Sequence, residues 1–131
     1  MVAAFALPAP VAAQSGRLGV QLNKLEDGDD GGCRAFFLFR NGTEMTLDAF
    51  EMSLAILATN GVIDRLLTID AAPLPAARTT LKLFEIPELG CSAIGEVILH
   101  DIPACTPQNG EALQCYTFLD LDSLAGAALV K

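Results

Sequence analysis

The sequence has no tryptophan, one histidine and one tyrosine, and it sets only 8 Lys and Arg against 16 Asp and Glu. Each scarcity excludes something. With one His and no CxxC pair, the four cysteines match no zinc pattern. A net charge of −8 does not suit nucleic acid or an anionic membrane surface, both of which need clustered Lys and Arg. The acidic excess serves solubility, or it suits a cationic partner or a divalent cation. No glycine-rich phosphate loop is present, and no apolar run is long enough to cross a bilayer as a helix. Internal repeats, low-complexity tracts and linkers are also missing.

What is present is apolar. The 131 residues are 52% hydrophobic and 18% charged, which argues against disorder and allows one domain with a real core. Seven phenylalanines carry the aromatic bulk. The first residues, MVAAFALPAPVAAQ, combine a short apolar run at Val2 to Leu7 with small residues at Val11-Ala12-Ala13. They read as a secretory signal peptide over residues 1–13, cleaved before Gln14, ahead of a single domain over 14–131. No Lys or Arg precedes Arg17, so the expectation includes further leader upstream. The alternative is an apolar Ala/Pro-rich tail.

The rest of the chain alternates in short runs. Leu18 to Leu22 and Cys33 to Arg40 (CRAFFLFR) read as strands around the turn EDGDDGG. In Ala49 to Thr59, Phe50, Met52, Leu54, Ile56 and Ala58 share a face. A helix over Leu47 to Ala58 is compatible with the residue types. The period of two and the Asn60-Gly61 that follows favour a hairpin into Val62 to Ile69, with Ile63, Leu67 and Ile69 on one face and Arg65 its polar member. Further strands are expected at Thr79 to Ile86, Glu96 to Ile102 and Cys115 to Leu121. A short helical turn is expected at Ser92 to Gly95, and a last strand or tail at Ala125 to Val130. Seven strands with turn chemistry between them predict an all-β fold, an antiparallel Ig-like or fibronectin-III-like β-sandwich.

Four cysteines behind a leader predict two disulfides in a periplasmic or extracellular compartment. In an Ig-like sandwich the second strand runs antiparallel to the fifth. Cys33, which opens the second, then falls near Cys91, just beyond the fifth. Cys105 and Cys115 flank the loop between the last two strands, opposite one another if that loop closes a hairpin. Cys33–Cys91 with Cys105–Cys115 is therefore expected. Cys33–Cys115 with Cys91–Cys105 is the competing arrangement.

The order Arg40-Asn41-Gly42-Thr43, then TNGVIDR at Thr59 to Arg65, Leu74-Pro75 and a strand to Ile86 resembles the exported FxLYD-type Ig-like domains of bacteria. It is similar too to small exported alphaproteobacterial proteins with four cysteines. The likeness covers about a third of the chain. The chain departs from the pattern at Thr59-Asn60-Gly61, where Asp-x-Gly is usual, and at Ala76-Ala77, which replaces a glycine. The resemblance implies a fold and export, and no activity.

Two candidate sites follow from the residues. On the strand Cys33 to Arg40 the uncharged face (Cys33, Ala35, Phe37, Phe39) suits the core. That turns Phe36 and Leu38 outward between Arg34 and Arg40, an aromatic centre with an arginine rim suited to another envelope protein. The bland alternative is that loops or the arginine stems cover Phe36. Asp27, Asp29 and Asp30 offer oxygen ligands for Ca²⁺, though Gly31 and Leu38 stand where further ligands are wanted, so an EF-hand is excluded. No other cofactor is implied. His100 and Asp101 are adjacent in a strand and point to opposite faces, so with Ser92 or Ser123 they make no triad. Asn41-Gly42-Thr43 is a glycosylation sequon in a eukaryotic setting. The expected function is a non-catalytic exported binding or accessory domain. The alternative is a Ca²⁺- or small-ligand-binding module.

Overall fold

Gly28 to Gly32 turn the chain tightly: the Gly28 N–H donates to the Gly32 carbonyl, and Gly31 takes φ +86°, a conformation that glycine tolerates. The turn joins strands β1 (Leu18–Asp27) and β2 (Cys33–Asn41) as an antiparallel hairpin. Asn60-Gly61 does the same for β3 (Leu47–Ala58) and β4 (Ile63–Asp70). There the Asn60 carboxamide accepts from the Val62 N–H, and Gly61 takes φ +86°. The chain continues through β5 (Arg78–Ile86), a 3₁₀ turn at Cys91–Ala93, and β6 (Ile94–Pro107). A second 3₁₀ turn at Cys115–Phe118 precedes β7 (Leu119–Ser123) and β8 (Ala128–Val130). The computed structural model describes residues 16–131. The expected leader and its cleavage point lie outside them.

The strands form two four-stranded sheets, ordered β5-β2-β1-β7 and β4-β3-β6-β8. The second strand lies beside the fifth and the third beside the sixth, as in an Ig-like sandwich. Alternation explains the core. Phe37 and Phe39 from β2 meet Phe84 from β5 and Phe50 from β3, with the Phe39 and Phe50 rings 6.0 Å apart, edge to face, across the two sheets. Leu18, Val20, Leu22, Leu54, Val97 and Leu99 fill the space around them.

The structure corrects four readings. The sheets are not wholly antiparallel, because β7 runs parallel to β1 and β8 parallel to β6. After Cys115 the chain crosses from the second sheet to the first and then back, laying a short strand on the outer edge of each. The strand therefore begins at Leu119 rather than Cys115: the Thr117 N–H and hydroxyl both donate to the Gln114 carbonyl and close a 3₁₀ turn first. Ile63 is exposed, unlike Leu67 and Ile69, because a bulge at Ile56 and Leu57 shifts the β3–β4 register. Asn41 is buried, so the sequon is not a surface acceptor.

Arg65 has a structural explanation. It sits on the core-facing side of β4, where the sandwich is open between β4 and β5, and its guanidinium donates to the Pro87 carbonyl just past β5 at 2.6 Å. Arg65 thus ties the second sheet to the end of the first.

Both expected disulfides are present. Cys33–Cys91 bridges β2 to the turn after β5, where Cys33 pairs with Ile86 in register. Cys105–Cys115 forms for a different reason from the one expected. β6 and β7 belong to different sheets and make no hairpin. Instead the chain folds back locally, with the Leu113 N–H donating to the Cys105 carbonyl.

Candidate functional site

β2 is a central strand, so its outward residues have neighbours on both sides. Register places Leu38 opposite Leu81 and Phe36 opposite Leu83 on β5. Directly opposed residues on one face of a sheet pack side by side. The four side chains thus form one apolar cluster on the outer face of the first sheet. Leu81 is 61% exposed and Leu83 48%. These two leucines are the residues the sequence reading missed, and they supply the most open part of the patch. The signal was the alternation in TTLKLFEI, but its polarity misleads. Lys82 lies on the core-facing side with Phe84 and Ile86, opposite Phe37, at the free edge of the sheet. Its long stem lets the ammonium reach water from that position.

The surroundings of the four expected residues differ from a simple arginine rim. The Lys24 ammonium lies 5.3 Å from the centre of the Phe36 ring, a cation–π contact that covers part of the ring from β1. Lys24 also pairs with Glu26 at 3.0 Å. Arg34 approaches the same carboxylate at 3.7 Å and the Asp27 carbonyl at 3.5 Å, and its Nε is buried without a partner. The hydrogen bond from Lys24 holds the Glu26 carboxyl below its usual range; the charge of Lys24 and, less, that of Arg34 add to this, and desolvation opposes it. Arg34 is therefore half engaged by its neighbours. Arg40 is exposed, with its stem beside Gly19 on β1. All four residues share the outer face, as alternation requires.

The remainder of that face is polar. Arg17 makes two 2.8 Å hydrogen bonds to the Asp120 carboxylate, and Gln21 donates to Asp122 at 2.9 Å. The first sheet is thus divided, with an apolar half on β2 and β5 and a hydrogen-bonded polar half on β1 and β7.

Two carboxylates of the acidic turn are engaged by backbone N–H groups. Asp27 accepts from the Cys91 N–H at 2.9 Å, tying the turn to the disulfide, and Asp30 accepts from the Gly32 N–H at 3.1 Å. Asp29 stands apart from both contacts. Among the described residues no group of three or more His, Cys, Asp or Glu side chains is placed to hold a metal ion.

Of the residues weighed for a triad, His100 and Asp101 both stand beside Ser53 at a bulge in the β3–β6 pairing, whereas Ser92 lies in the first 3₁₀ turn and Ser123 on β7. His100 bonds Ser53 at 2.9 Å on the outer face of the second sheet, Asp101 accepts from the Ile102 N–H, and Ser123 donates to the Ala127 carbonyl. An open hollow of about 750 Å³ lies at the end of the sandwich near Gly42, Met45, Ala77 and Phe118. Among the described residues lining it, only Glu44 is charged.

Beneath that hollow, Asn41 makes four hydrogen bonds. Its amide nitrogen donates to the carbonyls of Met45 and Leu74, both at 2.9 Å. Its amide oxygen accepts from the Thr43 N–H at 3.0 Å and the Thr43 hydroxyl at 2.6 Å. Asn41 and Leu74, two of the residues behind the family resemblance, are thus direct partners in one internal corner.

The fold and the patch together define a class: a disulfide-stapled two-sheet β-sandwich with an uncovered apolar half-face. Among solved structures the chain is similar to IrmA from Escherichia coli, with a TM-score of 0.61 at 14% identity, covering 80% of this chain and 90% of that one. No family model matches the chain, and no curated protein matches it in sequence. Among the described residues no helix is long and apolar enough to cross a membrane.

Proposed function

We propose that this chain is an exported, non-catalytic binding or accessory module of the cell envelope that grips a partner protein with the β2–β5 half of its first sheet. The observation that carries the reading is the cluster of Phe36, Leu38, Leu81 and Leu83, left open on a sheet whose other half is polar. Contiguous apolar surface rimmed by polar groups is the signature of an interaction site. Arg34, Arg40 and Lys24 frame it, and arginine and aromatic residues are enriched at such contacts. Export is supported by the two disulfides, which persist in oxidising compartments. Membership of the FxLYD-type, four-cysteine group of exported domains belongs to the same reading.

Serine substitution at Leu81 and Leu83 tests it. Both residues are exposed, so the fold should survive by circular dichroism. If each leucine buries most of its side chain at the contact, about 1.5 kcal/mol is lost at each, and affinity for a co-purifying envelope partner falls by about 100-fold. A folded double variant that keeps its partners at undiminished affinity contradicts the proposal.

A further inference from the structure

The two sides of the sandwich are finished differently. On one side the chain crosses from β7 to β8 and closes the gap between the sheets, and Ala127 in that crossing is buried. On the other side β4 and β5 are the free edges of different sheets and share no ladder of hydrogen bonds. Their core-facing residues show the opening. Leu67, Ile69 and Phe84 are only partly buried, whereas Phe37, Leu54 and Ile56 on the neighbouring strands are buried. A hydrogen bond from Arg65 to the Pro87 carbonyl latches one end of this mouth.

A narrow slot runs inward from the mouth, between Leu67 and Ile69 on β4 and Phe84 on β5, toward Phe37, Leu54 and Val97. Every described residue lining it is apolar. Its free volume is about 10 Å³, room for about one water but with no polar partner to hold one. Lys82 stands on the same core-facing side of β5, two residues before Phe84 and opposite Phe37. Among the described residues its side chain has no ion pair or hydrogen bond. Arg65, the other core-facing cation of the mouth, is engaged by the Asp64 carboxylate at 2.7 Å and by the Pro87 carbonyl. The remaining acids of the two strands do not serve Lys82. Glu85 lies on the outer face opposite Arg34, and Asp70 accepts from the Ala72 N–H.

We infer that this slot takes the tail of a single-chain amphiphile with an anionic head, a fatty-acid carboxylate, and that the head pairs with Lys82. The site is on the core-facing side of β5 and is separate from the outer β2–β5 face proposed for a protein partner. A wholly apolar lining suits a hydrocarbon tail and offers nothing to a polar ligand. One unpaired ammonium at the mouth suits one carboxylate. In the empty protein the slot is nearly closed, so the tail enters by spreading β4 from β5. That movement breaks no strand pairing, because the two strands belong to different sheets. It costs the Arg65 bond and apolar contacts that the methylenes of the tail replace. A core-facing lysine on an edge strand also discourages strand addition, and the experiment separates the two roles.

Isothermal titration calorimetry of the full chain with dodecanoate, kept below its micelle-forming concentration, tests this. Saturable one-to-one binding is expected. Each buried methylene adds about fourfold in affinity, so decanoate is expected to bind about 15-fold more weakly. Lys82→Gln is expected to weaken dodecanoate binding about tenfold, and Lys82→Arg to restore most of it. Leu81→Ser with Leu83→Ser changes only the outer face and is expected to leave the affinity unchanged. Lys82 is partly exposed at the sheet edge, so Lys82→Gln should keep the parent circular dichroism. If it does not fold, the comparison of decanoate with dodecanoate on the parent decides. No saturable binding of dodecanoate overturns the inference, and so does equal affinity for the two tails. A folded Lys82→Gln variant that binds as tightly as the parent also overturns it and leaves Lys82 as a guard of the edge. Binding lost with Leu81 and Leu83 would put the amphiphile on the outer face, against the inference. If dodecanoate does not bind but serine at Leu81 and Leu83 still costs an envelope partner, this inference falls and the proposed function stands.

Discussion

Replacing Asn41 with alanine is expected to lower stability by about 3 kcal/mol, a fall in melting temperature of roughly 10 °C for a domain of this size. The residue is only 1% exposed and makes four hydrogen bonds. Their removal is unequal in effect. The Leu74 carbonyl keeps its bond from the Leu47 N–H, and the Met45 carbonyl keeps the Thr43 hydroxyl. The Thr43 N–H loses its acceptor inside the fold, and an orphaned buried donor costs about 1–3 kcal/mol. A void at a corner where β2, β3 and the segment before β5 converge adds to this. Thr43→Val, which removes only the hydroxyl, should cost about 1–2 kcal/mol. Urea unfolding followed by circular dichroism measures both. A loss below about 1 kcal/mol for Asn41→Ala would show that water replaces the amide and that the corner is not held as described.

The second large effect concerns the disulfides. Cys33 and Cys91 are 58 residues apart, Cys105 and Cys115 only 10. On the chain-entropy model, losing the first cross-link costs about 4 kcal/mol and losing the second about 3 kcal/mol. Serine at both Cys33 and Cys91 should therefore lower the melting temperature by roughly 15 °C, and serine at Cys105 and Cys115 by roughly 10 °C. Domains are commonly stable by only about 5–15 kcal/mol, so the first variant is expected to be marginal at body temperature. Paired thermal melts check the order. A larger loss from the shorter loop would mean that local packing around Cys105 and Cys115, both buried, outweighs loop length.

Local chemistry made much of this fold legible. Asn60-Gly61 and the EDGDDGG turn each closed the hairpin their residues suit. Period-two alternation decided strand over helix at Leu47–Ala58 against helix-favouring composition, because both faces of β3 had to serve a sheet. The Cys33–Cys91 pairing followed from strand adjacency alone. What escaped detection depends on the third dimension. Parallel β7 and β8 have no local signature, since their direction is set by a chain that changes sheets twice. The Cys105–Cys115 bridge was expected from a hairpin that does not exist, and it forms through a local fold-back instead.

The candidate site was legible in half. The uncharged face of β2 marked Phe36 and Leu38 as outward. Their partners Leu81 and Leu83 stayed hidden because a lysine normally marks the wet side, whereas Lys82 is at an edge and can face inward without losing its water. Asn41 showed the limit of motif reading. Asn-Gly-Thr has the form of a surface acceptor, yet burial and four hydrogen bonds make it an internal corner.

The β2–β5 half-face is proposed as the surface this protein uses. Position-specific photo-cross-linking from Leu38 and Leu81 in the intact envelope tests it most directly, with Asp120 and Asp122 on the polar half of the same sheet as controls. Discrete cross-linked species, to an envelope protein or to a second copy of the chain, are expected from Leu38 and Leu81 and none from the controls. Cross-links of equal yield from Asp120 and Asp122, or none from Leu38 and Leu81, would contradict it.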